Sequence, residues 1–405
     1  MDKILKDKRI LLQGASRGNL GFIKTAKAHG VYVVMTGLGG DFPCNPYADE
    51  FCKADILDCD AVLKVAQDHH VDGAIICCSD TGLQAVGRCN DVMGLTGLSE
   101  KSAEMAFNKL LMKERLTDAG VRTAKFYKVF NEKDLLDAVK NIGYPVIIKA
   151  VDLQGSRGIN IVKEERDLVP SFRDTMSLTR KNYCIVEEYL VGKEFGAQAF
   201  VYDNEVLFVL PHGDETFMCK TAVPIGHYMP YEMSDILFND TCGQVKKAIA
   251  ALGFNNCAVN VDLIERNGEV YVIELTGRVG ANCLPELTSN YFGINYYEMI
   301  LATCLGESPL PYWEQRKAPS ATMARMIKSE KNGVVKSISL PETGNDAEIH
   351  LFIHEGSEVR AFTNSNDAIG EVIVKGETLR DCELQLDSIL KSIEILFKCK
   401  RPKVF

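Results

Sequence analysis

Two short apolar segments carry acids at a spacing that suits a metal ion. NVDLI at Asn260–Ile264 and YVIELTGRVG at Tyr271–Gly280 are rich in Val, Ile and Tyr, the composition of β-strands. RNG at Arg266–Gly268 supplies a turn between them. Folded as a hairpin, the two place Asp262 and Glu274 close together on the same face of neighbouring strands. Carboxylates held that close repel unless a cation lies between them, and oxygen donors suit a hard one. Arg278 follows one short loop later, where a developing phosphoryl charge needs a counterion. This is a catalytic layout.

The chain that must position these residues has 405 residues, 46% hydrophobic and 25% charged, as in ordinary soluble proteins. That length suggests about two to four domains. A formal net charge of -9 argues against nucleic acid or an anionic membrane as the main partner, since both recruit basic surfaces. Nucleotide binding stays open, because it depends on local lysines, arginines and backbone amides. The 14 cysteines contain no CxxC pair, and Cys77-Cys78 lies in an apolar run. MDKILKDKRILL is too charged for a signal peptide, and no run approaches a transmembrane span. Reduced, buried cysteines and a cytoplasmic protein are expected.

Residues 9–92 alternate between apolar strands (RILLQG, VYVVMTG, DGAIICCS) and helical stretches at Leu20–His29, Asp60–His69 and Thr81–Val92. Such alternation predicts a parallel sheet covered on both faces. The loop GASRGNLG has glycines that let backbone amides face an anion. Its spacing is not GxGxxG, and the second strand ends in Val34-Met35-Thr36-Gly37 with no acid for a ribose hydroxyl, so a dinucleotide domain is disfavoured. A hinge at Gly94–Glu100 leads to a helix over Ser102–Ala119, strand KFYKVF, a helix after Asn131 and strand Tyr144–Ala150. The glycine-bearing tip LQGSRGIN, a helix, strand NYCIVEEYL and a hairpin turning at Asp203-Asn204 come next. His212, Lys220 and His227 fall between strands in PHGDETFMCKTAVPIGHYMP. A helix at Ser234–Leu252 precedes the acidic hairpin, and short strands and turns from Ala318 end in a helix over Leu379–Phe397.

The order of these parts resembles the ATP-grasp superfamily, in its carboxylate–amine ligase and biotin-carboxylase-like branch, over roughly residues 8–310. No Walker A motif competes with that reading. Lys109, in FNKLLMKERLTDAGV, and Lys149, ending YPVIIKA, match the lysines that touch ATP phosphates. Fixed ammonium groups there offset charge as it moves to the departing ADP. Gln154, Gly155, Ser156 and Gly158, with Arg157, resemble the flexible loop over the phosphates. Glu187, Glu188, Tyr189 and Leu190 resemble the adenine-binding hinge, and Glu194 the ribose-binding acid. Asp262 and Glu274 match the magnesium ligands, with Thr276 where the family usually has Asn. Arg278 matches the arginine that steadies the transferred phosphoryl group. Lys220 and His227 are substrate-side candidates, as are Thr288, Ser289 and Asn290. Glu286 is either a ligand for a substrate amine or a helix cap.

The resemblance implies an α/β and α+β multidomain protein. Residues 1–98 would form an N-terminal parallel-sheet domain. Residues 99–315 would form an ATP-grasp domain of two α+β subdomains, the lid at about 123–190, and residues 316–405 a small C-terminal α+β domain. It further implies an ADP-forming ligase that makes an amide or peptide bond through an acyl phosphate. The cofactors would be ATP and one or two Mg2+, with Mn2+ as a substitute. Small carboxylates and amines, amino acids or peptides foremost, are the implied substrates, and a homodimer the implied assembly. Two alternatives stand beside it. One is a carboxylase acting through carboxyphosphate, with no fused carrier because a Met-Lys-Met turn is absent. The other is an ATP-binding sensor without turnover.

Overall fold

Strand–helix alternation at the start of the chain produces a parallel sheet in the computed structural model, which describes residues 5–153, 157–218 and 222–398. Its elements are β1 (Arg9–Gln13), α1 (Leu20–Ala28), β2 (Tyr32–Gly37), β3 (Glu50–Lys53), α2 (Cys59–Asp68), β4 (Gly73–Ile75) and α3 (Leu83–Met93). The order is β3-β2-β1-β4 with every neighbouring pair parallel. Ile10, Leu11, Leu12, Val33, Val34 and Met35 are fully buried, as strands covered on both faces require. β3 has no strand signal of its own. EFCK holds two charges in four residues, and pairing with β2 at the sheet edge makes it a strand.

The sequence predicts one helix over Ser102–Ala119, but two are present, α4 (Glu100–Phe107) and α5 (Lys109–Asp118). Asn108 between them has extended backbone, and its side chain accepts hydrogen bonds from the amides of Leu110 and Leu111. An N-cap outweighs the helical preference of its neighbours. On α5, Lys109 and Lys113 lie one turn apart and both are buried.

An α+β layer follows, made of β5 (Phe126–Val129), α6 (Glu132–Ile142), β6 (Val146–Lys149), β7 (Ile159–Val162), α7 (Leu168–Leu178) and β8 (Cys184–Glu188). Its antiparallel sheet, β5-β8-β6-β7, packs on the helices through Val129, Leu135, Val146, Ile148, Phe172 and Val186. β9 (Lys193–Tyr202) turns at Asp203 and Asn204, both at positive φ, into β10 (Glu205–Met218). Then come β11 (Ala222–Met229), α8 (Asp235–Leu252), β12 (Cys257–Arg266), β13 (Glu269–Thr276), α9 (Leu284–Phe292) and α10 (Tyr296–Cys304). β12 lies between β9 and β13, antiparallel to both.

The tail holds β14 (Ala321–Ile327), β15 (Gly333–Ser339), β16 (Ala347–Leu351), β17 (Glu358–Val359), β18 (Gly370–Gly376), α11 (Leu379–Ser392) and β19 (Glu394–Phe397). The expected last helix stops at Ser392. Residues 394–397 instead pair with β15, which lets Ile395 and Phe397 pack on the core built by Val335, Val372 and Leu386.

The chain divides into two compact units. The first takes Met1–Val209, Met233–Gly280 and Tyr297–Pro311; the second takes Leu210–Glu232, Ala281–Tyr296 and Tyr312–Phe405. Among the described residues, no helix is long and apolar enough to cross a membrane.

Candidate active site

β12 and β13 pair with Asp262 directly opposite Glu274 and Asn260 opposite Thr276. Asn267 (φ 56°) and Gly268 (φ 80°) make the turn, in the left-handed conformation that a two-residue hairpin loop favours. Register slips just beyond Asp262, an irregularity of the kind that re-aims side chains near functional sites. Behind the acids, Asn260 Nδ2 donates to Asp262 Oδ1 at 3.3 Å, and Gln198 Nε2 donates to Asn260 Oδ1 at 2.6 Å. The Gly280 amide in turn donates to Gln198 Oε1 at 3.0 Å. Sequence reasoning did not single out Asn260 or Gln198, although period-two alternation puts Asn260 on the face of Asp262.

Lys109 reaches this hairpin from α5. Its Nζ lies 3.3 Å from Glu274 Oε2 and donates to the Leu153 carbonyl at 3.1 Å. Burial works against its charge, yet Glu274, with Asp80 and Glu187 beyond, holds its pKa above the ordinary lysine value.

Glu187, at the end of β8, is 1% exposed and faces two lysines. Lys149 Nζ donates to its Oε2 at 3.0 Å, and Lys113 Nζ lies 3.2 Å from the same oxygen. Burial alone would push Glu187 toward neutrality, but Lys113 and Lys149 hold its pKa below the usual carboxylate range. For Lys113 burial wins, and the like charge of Lys149 adds to it, so its pKa is lowered despite Glu187. Lys113 is a further residue that sequence reasoning missed. Its signal was present: it stands four residues after Lys109, on the same helix face.

These groups line a cleft of about 440 Å³, counting solvent at its mouth, within the usual range for a small-molecule site. Tyr189, Leu190 and Glu194 share its lining with Lys113, Lys149 and Glu187. Glu188 also lines the cleft, but it forms an ion pair with Arg266 at 2.5 Å, and the Tyr189 amide donates to the Pro145 carbonyl. Glu187 Oε1 is buried without a hydrogen-bond partner, a costly state that a donor on a ligand would relieve.

Arg278 is buried against a partner that sequence reasoning also missed. Its Nε donates to Asp80 Oδ1 at 2.7 Å and its Nη2 to Asp80 Oδ2 at 3.0 Å, a bidentate pair. Thr276 Oγ1 donates to Asp80 Oδ1 at 2.7 Å. Burial opposes both charges, but each outweighs it for the other. Asp80 is held below the ordinary carboxylate value and Arg278 above that of a free guanidinium. Asp80 follows β4, at the carboxyl end of a parallel strand, where ligand sites of such sheets gather.

Gln154, Gly155, Ser156 and Lys220 lie outside the described residues. Gly158 has φ 66°, and its carbonyl accepts from the Ala150 amide at 2.8 Å. A Cβ there would stand 2.8 Å from that of Ala150. In the second unit, His212 and His227 do not lie between strands: they are buried within β10 and β11. Glu286 occupies the first turn of α9, where the helix dipole favours an acid. Thr288 is wholly buried and donates to Leu284 of its own helix, which turns it away from any substrate; Ser289 and Asn290 bond to Pro285 and Thr322.

Residues 107–219 match the family described as phosphoribosylglycinamide synthetase, ATP-grasp (A) domain. Residues 325–398 match L-amino acid ligase C-terminal domain 2. A crystal structure of phosphoribosylglycinamide synthetase from Anaerococcus prevotii is 48% identical, with TM-score 0.87, over 97% of this chain and 100% of that one. The formate-dependent phosphoribosylglycinamide formyltransferase of Prochlorococcus marinus subsp. pastoris is 25% identical over 345 residues, 82% of this chain and 84% of that protein. Alanine–anticapsin ligase of Bacillus amyloliquefaciens is 25% identical over 364 residues, 76% of each. Fold and relatives together define an ATP-dependent ligase of the carboxylate–amine class. The chain belongs to the ATP-grasp superfamily. Its cofactors are ATP and Mg2+, and the residues present fit them. Oxygen donors face each other on the hairpin, and in the cleft two lysines share one carboxylate, that of Glu187, whose other oxygen is unpartnered.

Proposed function

We propose that the chain activates a small carboxylate as an acyl phosphate and passes the acyl group to an amine, with amino acids or short peptides as substrates. The observation that carries this reading is the meeting of Lys109, Lys113 and Lys149 with Glu187 and Glu274 within one unit. In this reading residues 99–315 act as the ATP-grasp domain, with a lid at about 123–190, flanked by 1–98 and 316–405.

A carboxylate resists nucleophiles, so its oxygen first attacks the terminal phosphorus of ATP and ADP leaves with the electrons of the broken P–O bond. The amine nitrogen then attacks the acyl carbon, the C–O bond to phosphate breaks, and the amine gives up a proton. Lys109 and Lys149 offset charge on the phosphates, while Lys113 and Glu187 hold the base end of the nucleotide through hydrogen bonds and charge. Tyr189, Leu190 and Glu194 line the slot for base and ribose. Asp262 and Glu274, with Thr276 nearby, would hold Mg2+, which would supply charge neutralisation at the phosphates. Arg278 serves the transferred group once Asp80 shares it, and residues 154–158 exclude water from the acyl phosphate. Lys220, His227 and Glu286 remain the substrate-side candidates.

Amino-acid substrates are supported by the match of residues 325–398 to the L-amino acid ligase domain and by the alanine–anticapsin ligase relative. The 48% identity to the phosphoribosylglycinamide synthetase of Anaerococcus prevotii favours a second reading, in which the amine or its product carries a phosphoribosyl group. Phosphate release from Mg2+-ATP over paired amino acids, over glycine with phosphoribosylamine, and over formate with phosphoribosylglycinamide, separates the two. Release only with amino-acid pairs, and a product mass equal to their sum less water, is the expected result. Release only with a phosphoribosyl compound moves the assignment to the second reading, and ATP binding without release under any pair removes the ligase mechanism.

A further inference from the structure

A second cluster of ligand-type side chains stands in the other unit, on one face of the β10–β11 pair. Asp214 and His227 are direct cross-strand partners, and His212 precedes Asp214 by two residues, which returns it to the same face. Asp214 Oδ1 lies 3.0 Å from His212 Nδ1 and 2.5 Å from His227 Nδ1. The imidazoles meet edge-on, with ring centroids 5.3 Å apart. His212 is 2% and His227 4% exposed. One ligand atom from each of the three lies within 4.8 Å of the others. His227 Nε2 is buried with no hydrogen-bond partner.

From this geometry we infer a binding site for a divalent transition metal ion, of the Zn2+ or Fe2+ kind, at His212, Asp214 and His227. Two imidazoles and one carboxylate on adjacent strands form a three-sided donor set that leaves coordination positions open on the opposite side. Nitrogen donors distinguish this site from the hairpin of Asp262 and Glu274, whose oxygen donors suit Mg2+. On binding, each Nδ1 must present its lone pair to the ion, so a proton held there moves to Nε2 or leaves to solvent. The carboxylate leaves the site one positive charge in excess, which suits an anionic or lone-pair ligand in the open positions.

The site is read through metal binding rather than turnover, so its failure would leave the ligase reading untouched. Full-length protein carrying Glu274→Ala and Cys52→Ser, which remove the hard-metal hairpin and the thiol beside His69, is stripped of metal and titrated with Co2+. One equivalent is expected to bind, with visible d–d absorption of an imidazole-ligated ion and no thiolate charge-transfer band. Adding His227→Gln or Asp214→Asn should weaken it at least tenfold, given that losing even a ligand's supporting partner costs about 10–100-fold. Unchanged Co2+ affinity and spectrum in both variants would overturn the site, as would the absence of any bound Co2+ in the parent. Should the variants fail to fold, ¹⁵N-histidine-labelled wild-type protein decides: Zn2+ must shift the Nδ1 resonances of His212 and His227, and unmoved resonances overturn the inference.

Discussion

Replacing Lys113 with methionine removes one of two cations from Glu187 while keeping an apolar stem of similar length. Lys149 still faces the carboxylate at 3.0 Å, so the fold should survive. The cleft loses a charge-assisted donor, of the kind that contributes about 1.5–3 kcal/mol, or roughly 10–100-fold in affinity. Calorimetric titration with Mg2+-ATP checks this, and unchanged affinity would remove Lys113 from the nucleotide site. Glu187→Gln strands two buried lysines instead. It should destabilise the chain by about 3–5 kcal/mol, read as a lower urea midpoint. In the wild type the depressed Glu187 pKa means its stabilisation is present above the ordinary carboxylate range and lost as pH falls below it. Sequence carried part of this constellation. Lys149 and Glu187 end apolar strands, and Asp262 and Glu274 alternate with apolar neighbours, so local pattern exposes them. Asp80 and Lys113 sit in a loop and on a charged helix face, where most such residues are solvated, and only packing makes them partners of Arg278 and Glu187.

Elements were legible where one period dominated. The β12–β13 pair could be drawn from its alternation and its Asn267-Gly268 turn, whereas the break between α4 and α5 depends on Asn108 turning its side chain onto two amides. β3 and β19 are short and mixed in polarity; each exists because a neighbouring strand offers it hydrogen bonds. Cross-strand pairing has a further, measurable effect in the second unit. On β16, His350 lies opposite Glu371 of β18 and 3.1 Å from Glu348, two residues back on its own strand. Hydrogen bonds donated by its ring to Glu348 and then to Glu371 raise its pKa to about 10. A raised histidine pKa gives stability that is complete below about 6.5 and fades as pH climbs toward that higher value. The side chain is nearly half exposed, so solvent screening limits the effect to about 0.5–1 kcal/mol. His350→Gln should therefore lower the urea midpoint at pH 6, with the difference from wild type closing near pH 10.5. A constant difference across that range would show that the carboxylates do not hold the charge.

At the scale of the whole molecule, both compact units draw on segments scattered through the chain, and the second collects residues as far apart as Leu210 and Phe397. Composition does not mark such interleaving, because hydrophobic periodicity reports which residues are buried and not which neighbour buries them. The two candidate sites fall on different units. Lys109, Lys113, Lys149, Glu187, Asp262, Glu274 and Arg278 all belong to the first; His212, Asp214 and His227 belong to the second. Ligands should therefore be separable by where they slow hydrogen exchange. At about 100 times its dissociation constant a ligand adds about 2.7 kcal/mol to the state that binds it. Mg2+-ATP is expected to protect peptides spanning 109–113, 146–149, 184–194 and 260–278. Under the transition-metal reading, Zn2+ added to protein already saturated with Mg2+ should protect 210–218 and 222–229. Protection by Mg2+-ATP at 210–229 with none at 184–194 would move the nucleotide out of the lysine-lined cleft. Equal protection of every segment by either ligand would mean that the chain opens as one cooperative body.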